Sequence, residues 1–193
     1  MPRLALALNA LGLYAIAAIL VAAFVMQIML QELPCPLCLL QRVAFVALAV
    51  GPILNLRYGP RPSHYALSLI AAVMGAGFAM RQVLLHIMPG DAGFGTALFG
   101  LHYYSWAFVC FAVAILAIAV TMLLDRQFDQ MVHLPGPGPK LGLFEKVAVW
   151  SVIAVTLANM AGVWVECGPN VCPDNPKRYE MLGMRLSGGD RVK

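Results

Sequence analysis

The sequence predicts an all-α integral membrane protein: a bundle of five transmembrane helices with short loops and an outer C-terminal tail. Three observations predict it. Of the 193 residues, 61% are hydrophobic and only 11% are charged, against roughly 25% charged in soluble domains. The apolar residues gather in runs near the ~20-residue length that crosses a hydrocarbon core. The remaining charges fall between these runs or in one C-terminal block. A formal net charge of +4, spread in this way, marks topology rather than a nucleic-acid surface.

The first run, Leu4–Leu30, is long enough to span with tilt. It is too long for the apolar region of a signal peptide, and no small-residue cleavage site ends it. The second, Leu39–Leu56, is short and has Arg42 near its start; Tyr65–Met88, Tyr103–Leu124 and Phe144–Val165 follow. Helices are expected because open strands would leave backbone groups unsatisfied in lipid. Residues 1–165 form the transmembrane domain in this reading, and 166–193 the outer tail. Ala71, Gly75 and Ala79 in the third run, and Ala18 and Ala22 in the first, repeat every four residues. Small residues at that spacing are candidate helix-contact faces.

Orientation follows from Lys and Arg in the short loops. Arg3, Arg57, Arg61, Arg126, Lys140 and Lys146 share one side, while Arg42, Arg81 and the mixed-charge tail share the other. The first side is expected to be cytoplasmic, which places the N-terminus inside and the C-terminus outside. Residues 31–38, residues 89–102 and the tail then face the same outer compartment. In bacteria that compartment is oxidising. The inner connection contains Leu134-Pro-Gly-Pro-Gly-Pro-Lys140 and reads as an irregular linker. The outer connection Pro89–His102 mixes glycines with Phe94, Leu98, Phe99 and Leu101. It is expected to lie on the membrane surface with its apolar residues in the interface. The last residues, Leu186–Lys193, are polar and glycine-rich and are expected to be disordered.

Four of the five cysteines form two close pairs, Cys35/Cys38 and Cys167/Cys172. In Cys35-Pro-Leu-Cys38-Leu-Leu-Gln-Arg42 the second cysteine stands near a helix start and the arginine one turn later on the same face. A Cys-x-x-Cys motif, a nearby cation and a helix N-terminus each favour the reactive thiolate. A redox role is preferred, with a structural disulfide or half of a metal site as alternatives. Arg42 is a candidate to hold an electron-rich carbonyl and stabilise a thiolate, and Arg81, beside Gln82, is a second. Snorkelling to the headgroups is the bland alternative for both. His86 and His102 are interfacial and read as anchors or proton shuttles. Cys167-Gly-Pro-Asn-Val-Cys172 follows the fifth run directly and reads as a second pair able to exchange with the first. The alternatives are a static staple or a four-cysteine zinc clip. Cys110 lies among Phe108, Val109 and Phe111 and reads as a small buried hydrophobe. Asn9 and Asn159 are too few for a transport pathway.

The octapeptide at the start of the second span resembles the family of DsbB, the bacterial disulfide bond formation protein B. Basic inner loops, the Arg81–Pro89 exit from the third span and Gly100-Leu101-x-x-x-x-Trp106 before the fourth extend the resemblance over the first four spans. It implies a protein-disulfide:quinone oxidoreductase of the bacterial inner membrane that works with ubiquinone or menaquinone and a DsbA-like periplasmic thiol oxidoreductase. Cys38 and Arg42 would lie against the quinone, and Cys35 would exchange with the second pair. The family's second pair lies between the third and fourth spans of a four-span protein. Here that loop has no cysteine, and the fifth span instead delivers Cys167 and Cys172. An outward carrier of reductant and a non-enzymatic scaffold are the rival readings.

Overall fold

Proline opens the second and third spans. In the computed structural model, which describes residues 2–91, 93–128, 139–169, 172 and 178–185, six α-helices form five spans. Helix α1 covers Pro2–Leu30, α2 Pro36–Leu48, α3 Val50–Tyr58, α4 Pro62–Leu85, α5 Tyr103–Met122 and α6 Leu143–Cys167. Pro36 and Pro62 occupy first-turn positions, where a missing N–H costs no hydrogen bond and the fixed φ favours the helix. Helix α1 ends with Gln31 in the left-handed region at φ 54°. Two-residue strands, β1 (Arg178–Tyr179) and β2 (Met184–Arg185), pair antiparallel in the tail. Most of the Pro/Gly linker and the segment Leu186–Lys193 lie outside the described residues.

The second span is one membrane crossing, Pro36–Tyr58, built from two helices. The interruption at Ala49 has a covalent cause. Pro52 has no N–H to give the carbonyl four residues back, and its ring crowds that carbonyl. The orphaned carbonyl is that of Leu48, and the Ser68 hydroxyl of α4 donates to it at 2.8 Å. In lipid such a substitute is required, because no water is there to satisfy the group. Gly51 makes the approach possible. A Cβ there would collide with the Ser68 hydroxyl and the His64 carbonyl.

Helix α4 packs on α5 and α2, α1 packs on α6, and α3 joins α1 to α4. Ala71, Gly75 and Ala79 do form a buried face. A Cβ at Gly75 would overlap the Phe111 ring of α5, and Phe111 stacks in turn on Phe45 of α2 at 4.0 Å. Ala18 and Ala22 are exposed; the buried stripe of α1 is Ala10, Leu13, Ala17 and Leu20. The helical pitch places that stripe on the opposite face. Large apolar side chains such as Ile70, Leu116 and Trp150 face outward, as a lipid solvent requires. Helices α1 and α6 run side by side in the same direction. The Tyr14 hydroxyl donates to the Phe144 carbonyl at 3.0 Å, and Phe24 lies against Gly162 further along.

At the end of the bundle away from Cys35, Asn9 donates to the Tyr65 hydroxyl at 2.9 Å, Asn55 to Asn9 at 2.9 Å, and Tyr65 to Gln127 at 2.8 Å. These buried amides tie α1, α3 and α4 to the short 3-10 turn Asp125–Gln127. Asn9 therefore belongs to a structural clamp.

Replacing Ser68 with alanine leaves the Leu48 carbonyl without its donor. Ser68→Ala is expected to cost about 1–3 kcal/mol, seen as a lower Tm of the detergent-solubilised protein. An unchanged Tm would show that this carbonyl does not depend on Ser68.

Candidate functional site: a dithiol over a helix N-terminus

The Cys35–Cys38 turn is built by ordinary helix-capping chemistry. Cys35 is the N-cap of α2, extended at φ −70° and ψ 162°, and its Sγ accepts the Cys38 N–H at 3.2 Å. A sulfur thus fills the place that a serine or asparagine oxygen usually takes. Helix α2 begins at Pro36, earlier than the Leu39 expected, because Pro36 is preset for the first helical position. Cys35, not Cys38, therefore caps the helix, and both sulfurs sit at its positive end.

Helix α4 meets this turn with Gln82, which is 1% exposed. Its Nε2 donates to Cys35 Sγ at 3.3 Å and to Cys38 Sγ at 3.5 Å. Its Oε1 accepts from Gln41 Nε2 at 2.8 Å, which turns the donor end of the amide toward the sulfurs. The hydrogen bond with Cys38, then burial and the charge of Cys38, holds the Cys35 thiol above its usual range.

Arg42 lies one turn below Cys38. Its Nη1 donates to Gln27 Oε1 at 2.8 Å and to Asn159 Oδ1 at 3.2 Å, and its Nη2 to the Ala23 carbonyl at 3.1 Å. Helices α1 and α6 thereby hold the guanidinium inside the bundle, so it does not snorkel to the surface. Asn159 is fixed by its own bond to the Val155 carbonyl at 2.8 Å.

Cys38 and Arg42 both open on a cavity of about 270 Å³. Its walls are largely apolar, with Ala23 and Met26 from α1, Phe45 from α2, and Tyr104 and Trp106 from α5. Phe94 and Leu98 cover it from the Pro89–His102 connection. That segment was expected to dip its apolar residues into the membrane interface, yet Phe94 and Leu98 turn into the bundle instead. Phe99 is 89% exposed. The Glu32 carboxylate accepts from the Thr96 N–H at 3.0 Å and from its hydroxyl, and Trp106 Nε1 donates to the Leu98 carbonyl at 2.9 Å. These bonds fold Phe94 and Leu98 inward. Cys110 also lines the cavity.

Arg81 is exposed and outside the cavity lining, contrary to the expectation that it contacts the same ligand as Arg42. Successive helical residues diverge by about 100°, and Gln82 takes the inward direction. His86 pairs with Asp91 at 3.2 Å, and the Gly93 N–H and His86 hold the Asp91 carboxyl below its usual range. Both His86 and His102 stack near Tyr104 and reach the cavity only through it.

Cys167 ends α6 and is disulfide-bonded to Cys172, with 4.9 Å between their Cα atoms. Asn170 and Val171 of the intervening turn lie outside the described residues. The parallel packing of α6 on α1 brings this disulfide to the same end as Cys35. The β1–β2 hairpin folds back on α6, where the Glu180 and Met181 N–H groups donate to the carbonyls of Glu166 and Val165 at 3.0 and 3.2 Å. The residues that sequence reasoning passed over are amides, Gln27, Gln41 and Gln82. Their signal is only that each is an uncharged polar residue in an apolar run.

The fold and site together define a multi-pass helical membrane protein with a dithiol and a buried arginine at one end of its bundle. Residues 4–97 match the family described as disulfide bond formation protein DsbB. A stretch of 86 residues is 44% identical to disulfide bond formation protein B of Xanthomonas axonopodis pv. citri (strain 306), covering 42% of this chain and 50% of that protein. The namesake protein of Aromatoleum aromaticum is 36% identical over 62 residues, 30% of this chain and 37% of its own length. The chain spans about half the length of the curated relatives it matches. No solved structure matches it. Cys35, Cys38, Arg42 and Gln82 lie inside the matched residues; α5, α6 and the tail pair lie beyond them.

Gln82→Leu removes the amide donor shared by both sulfurs while keeping an uncharged side chain of similar length. Alkylation of Cys38 in the reduced protein is expected to slow by about tenfold at neutral pH, the worth of one hydrogen bond to a charged acceptor. Peptide mass spectrometry of a timed alkylation checks it.

Proposed function

We propose that the protein is a quinone-dependent protein thiol oxidase of the bacterial inner membrane, with its N-terminus cytoplasmic and its C-terminus periplasmic. The observation that carries this reading is that Cys38 and Arg42 open side by side on one apolar cavity within the spans. An apolar cavity with a few convergent polar groups is the general form of a small-molecule site. The residues fit a quinone: aromatic and aliphatic walls suit a planar ring, and Arg42 offers N–H groups to a carbonyl oxygen. Ubiquinone or menaquinone, when bound, supplies an acceptor for two electrons and two protons.

The chain's own residues divide the remaining work. The partner, a DsbA-like periplasmic thiol oxidoreductase, gives its electrons to the Cys167–Cys172 disulfide and is released oxidised. The reduced tail pair then attacks the Cys35–Cys38 disulfide at Cys35 through a mixed disulfide. Cys35, the buried N-cap of α2, is assigned this role because it lies outside the cavity lining. Cys38 suits the other because it lines the cavity. Arg42, fixed by Gln27, Asn159 and Ala23, keeps a positive charge beside the Cys38 sulfur. Gln82 bridges both sulfurs and holds them at the helix N-terminus, where negative charge is favoured. Phe94 and Leu98 exclude water from the cavity.

Cys38→Ser is expected to abolish quinone reduction by a reduced thiol partner, measured as loss of quinone absorbance. A normal rate in this variant would sink the proposed role of Cys38. Removing Cys38 together with Cys167, or Cys38 together with Cys172, leaves Cys35 and one tail cysteine. One of these two variants is expected to trap an inter-pair disulfide on non-reducing gels. Impermeant thiol reagents applied to reduced spheroplasts are expected to label Cys167 and Cys172; labelling only after permeabilisation would place the tail inside and break the relay.

A further inference from the structure

The scheme above leaves the buried carboxyl of Glu166 unused. Glu166, at the end of α6, is 1% exposed. Neither of its carboxyl oxygens has a hydrogen-bond partner among the described residues. An isolated buried carboxylate is costly, and buried polar groups without partners are few. Its position is informative. Asn159 of the same helix touches Arg42, and Glu166 lies seven residues on, two turns along the same face and about 10 Å further toward the sulfur end. Cys38 lies one turn from Arg42 on α2, about 6 Å in that same direction. The carboxyl is thus on the helix face that meets Arg42, on the Cys38 side of it. The backbone bonds from Glu180 and Met181 lay the tail hairpin over this end of α6.

We propose that Glu166 is the charge-compensating residue of the dithiol site: it takes up a proton as Cys38 loses one. The arithmetic of charge supports this. Among the described residues one half-buried cation, Arg42, faces two groups able to become anions, Cys38 and Glu166. A single cation in a low-dielectric bundle supports one anion far better than two. The two groups therefore ionise in alternation. When the S–H bond of Cys38 breaks, an O–H bond forms at Glu166, and the net charge of the site is unchanged. No electron moves in this step. The inference rests on the proposed role of Cys38 as the sulfur that faces the cavity, and it identifies where that sulfur's proton is held during turnover.

Among the described residues, the other groups around Glu166 leave room for this role. From α2 the ionisable neighbours are Cys38 and Arg42, with Cys35 at its cap. From β1, Tyr179 acts on Arg42, and the exposed Glu180 follows it. Helix α1 presents Phe24 and the neutral Gln27 at this level; its ionisable residues, Arg3 and Tyr14, belong to the other half of that helix. Cys167, the adjacent residue, is in its disulfide.

The test is a pH titration of Cys38 reactivity in the full-length reduced protein without quinone, with alkylation at Cys38 resolved by peptide mass spectrometry. The unmodified protein is expected to titrate in two steps, as a coupled pair does. Glu166→Gln is expected to titrate in one step, displaced to lower pH by roughly one unit, so that alkylation below neutral rises severalfold. Glu166→Asp is expected to keep the two steps. A Glu166→Gln curve superimposed on the wild-type curve, in protein with an unchanged Tm, overturns the proposal. A second measurement needs no variant. At neutral pH, alkylating Cys38 with a neutral reagent removes the competing anion, so the infrared band of a protonated carboxyl is expected to decrease; an unchanged spectrum overturns the proposal as well. Neither readout involves quinone. Failure here with a dead Cys38→Ser leaves the oxidase reading standing, and an active Cys38→Ser sinks that reading independently.

Discussion

The burial of the Arg42 guanidinium is the constraint from which much of the architecture follows. A cation taken out of water costs several kcal/mol unless its hydrogen bonds are replaced, and within a bilayer the replacements must come from the protein. They come from Gln27 and the Ala23 carbonyl on α1 and from Asn159 on α6. One side chain of α2 thereby fixes the relative placement of three helices. It also explains how the fifth span is accommodated. Helix α6 attaches to the α1 side of the bundle, away from the α4–α5 pair, so it supports Arg42 from behind and leaves the cavity face to α1, α2 and α5.

A second set of amides does for the sulfurs what the first does for the arginine. Gln41 orients Gln82, and Gln82 addresses both cysteines. The two sets share a logic. Neutral amides bring dipoles into the membrane without bringing uncompensated charge, so they can organise a charged centre at low solvation cost. Glu166 is the exception: its carboxyl has no hydrogen-bond partner among the described residues and stands on the α6 face that, two turns earlier, meets Arg42 through Asn159.

Much of the fold was legible in the sequence because apolar run length is set by bilayer thickness. Five spans, the two cysteine pairs and the Cys38–Arg42 turn all follow from spacing alone. What could not be read depends on direction. Arg81 and Gln82 are adjacent letters, and only the rotation of α4 decides that the amide faces the sulfurs and the cation faces away. Ala18–Ala22 and Ala71–Gly75–Ala79 have the same pattern, yet only the second meets another helix, because packing partners are chosen by whole-helix faces. The division of the second span required knowing that Pro52 would be rescued by Ser68 from a different helix. The inward fold of Phe94 and Leu98 depends on Glu32, more than sixty positions earlier. Each of these is a long-range contact that no local pattern encodes.

The capping bond at Cys35 has a further implication for exchange chemistry. A sulfur keeps two lone pairs whether it carries a proton or a second sulfur, so Cys35 can accept the Cys38 N–H as a thiol and as half of a disulfide. The cap at the start of α2 is thus compatible with every covalent partner of Cys35, and the same backbone bond presents the sulfur to each of them from one place.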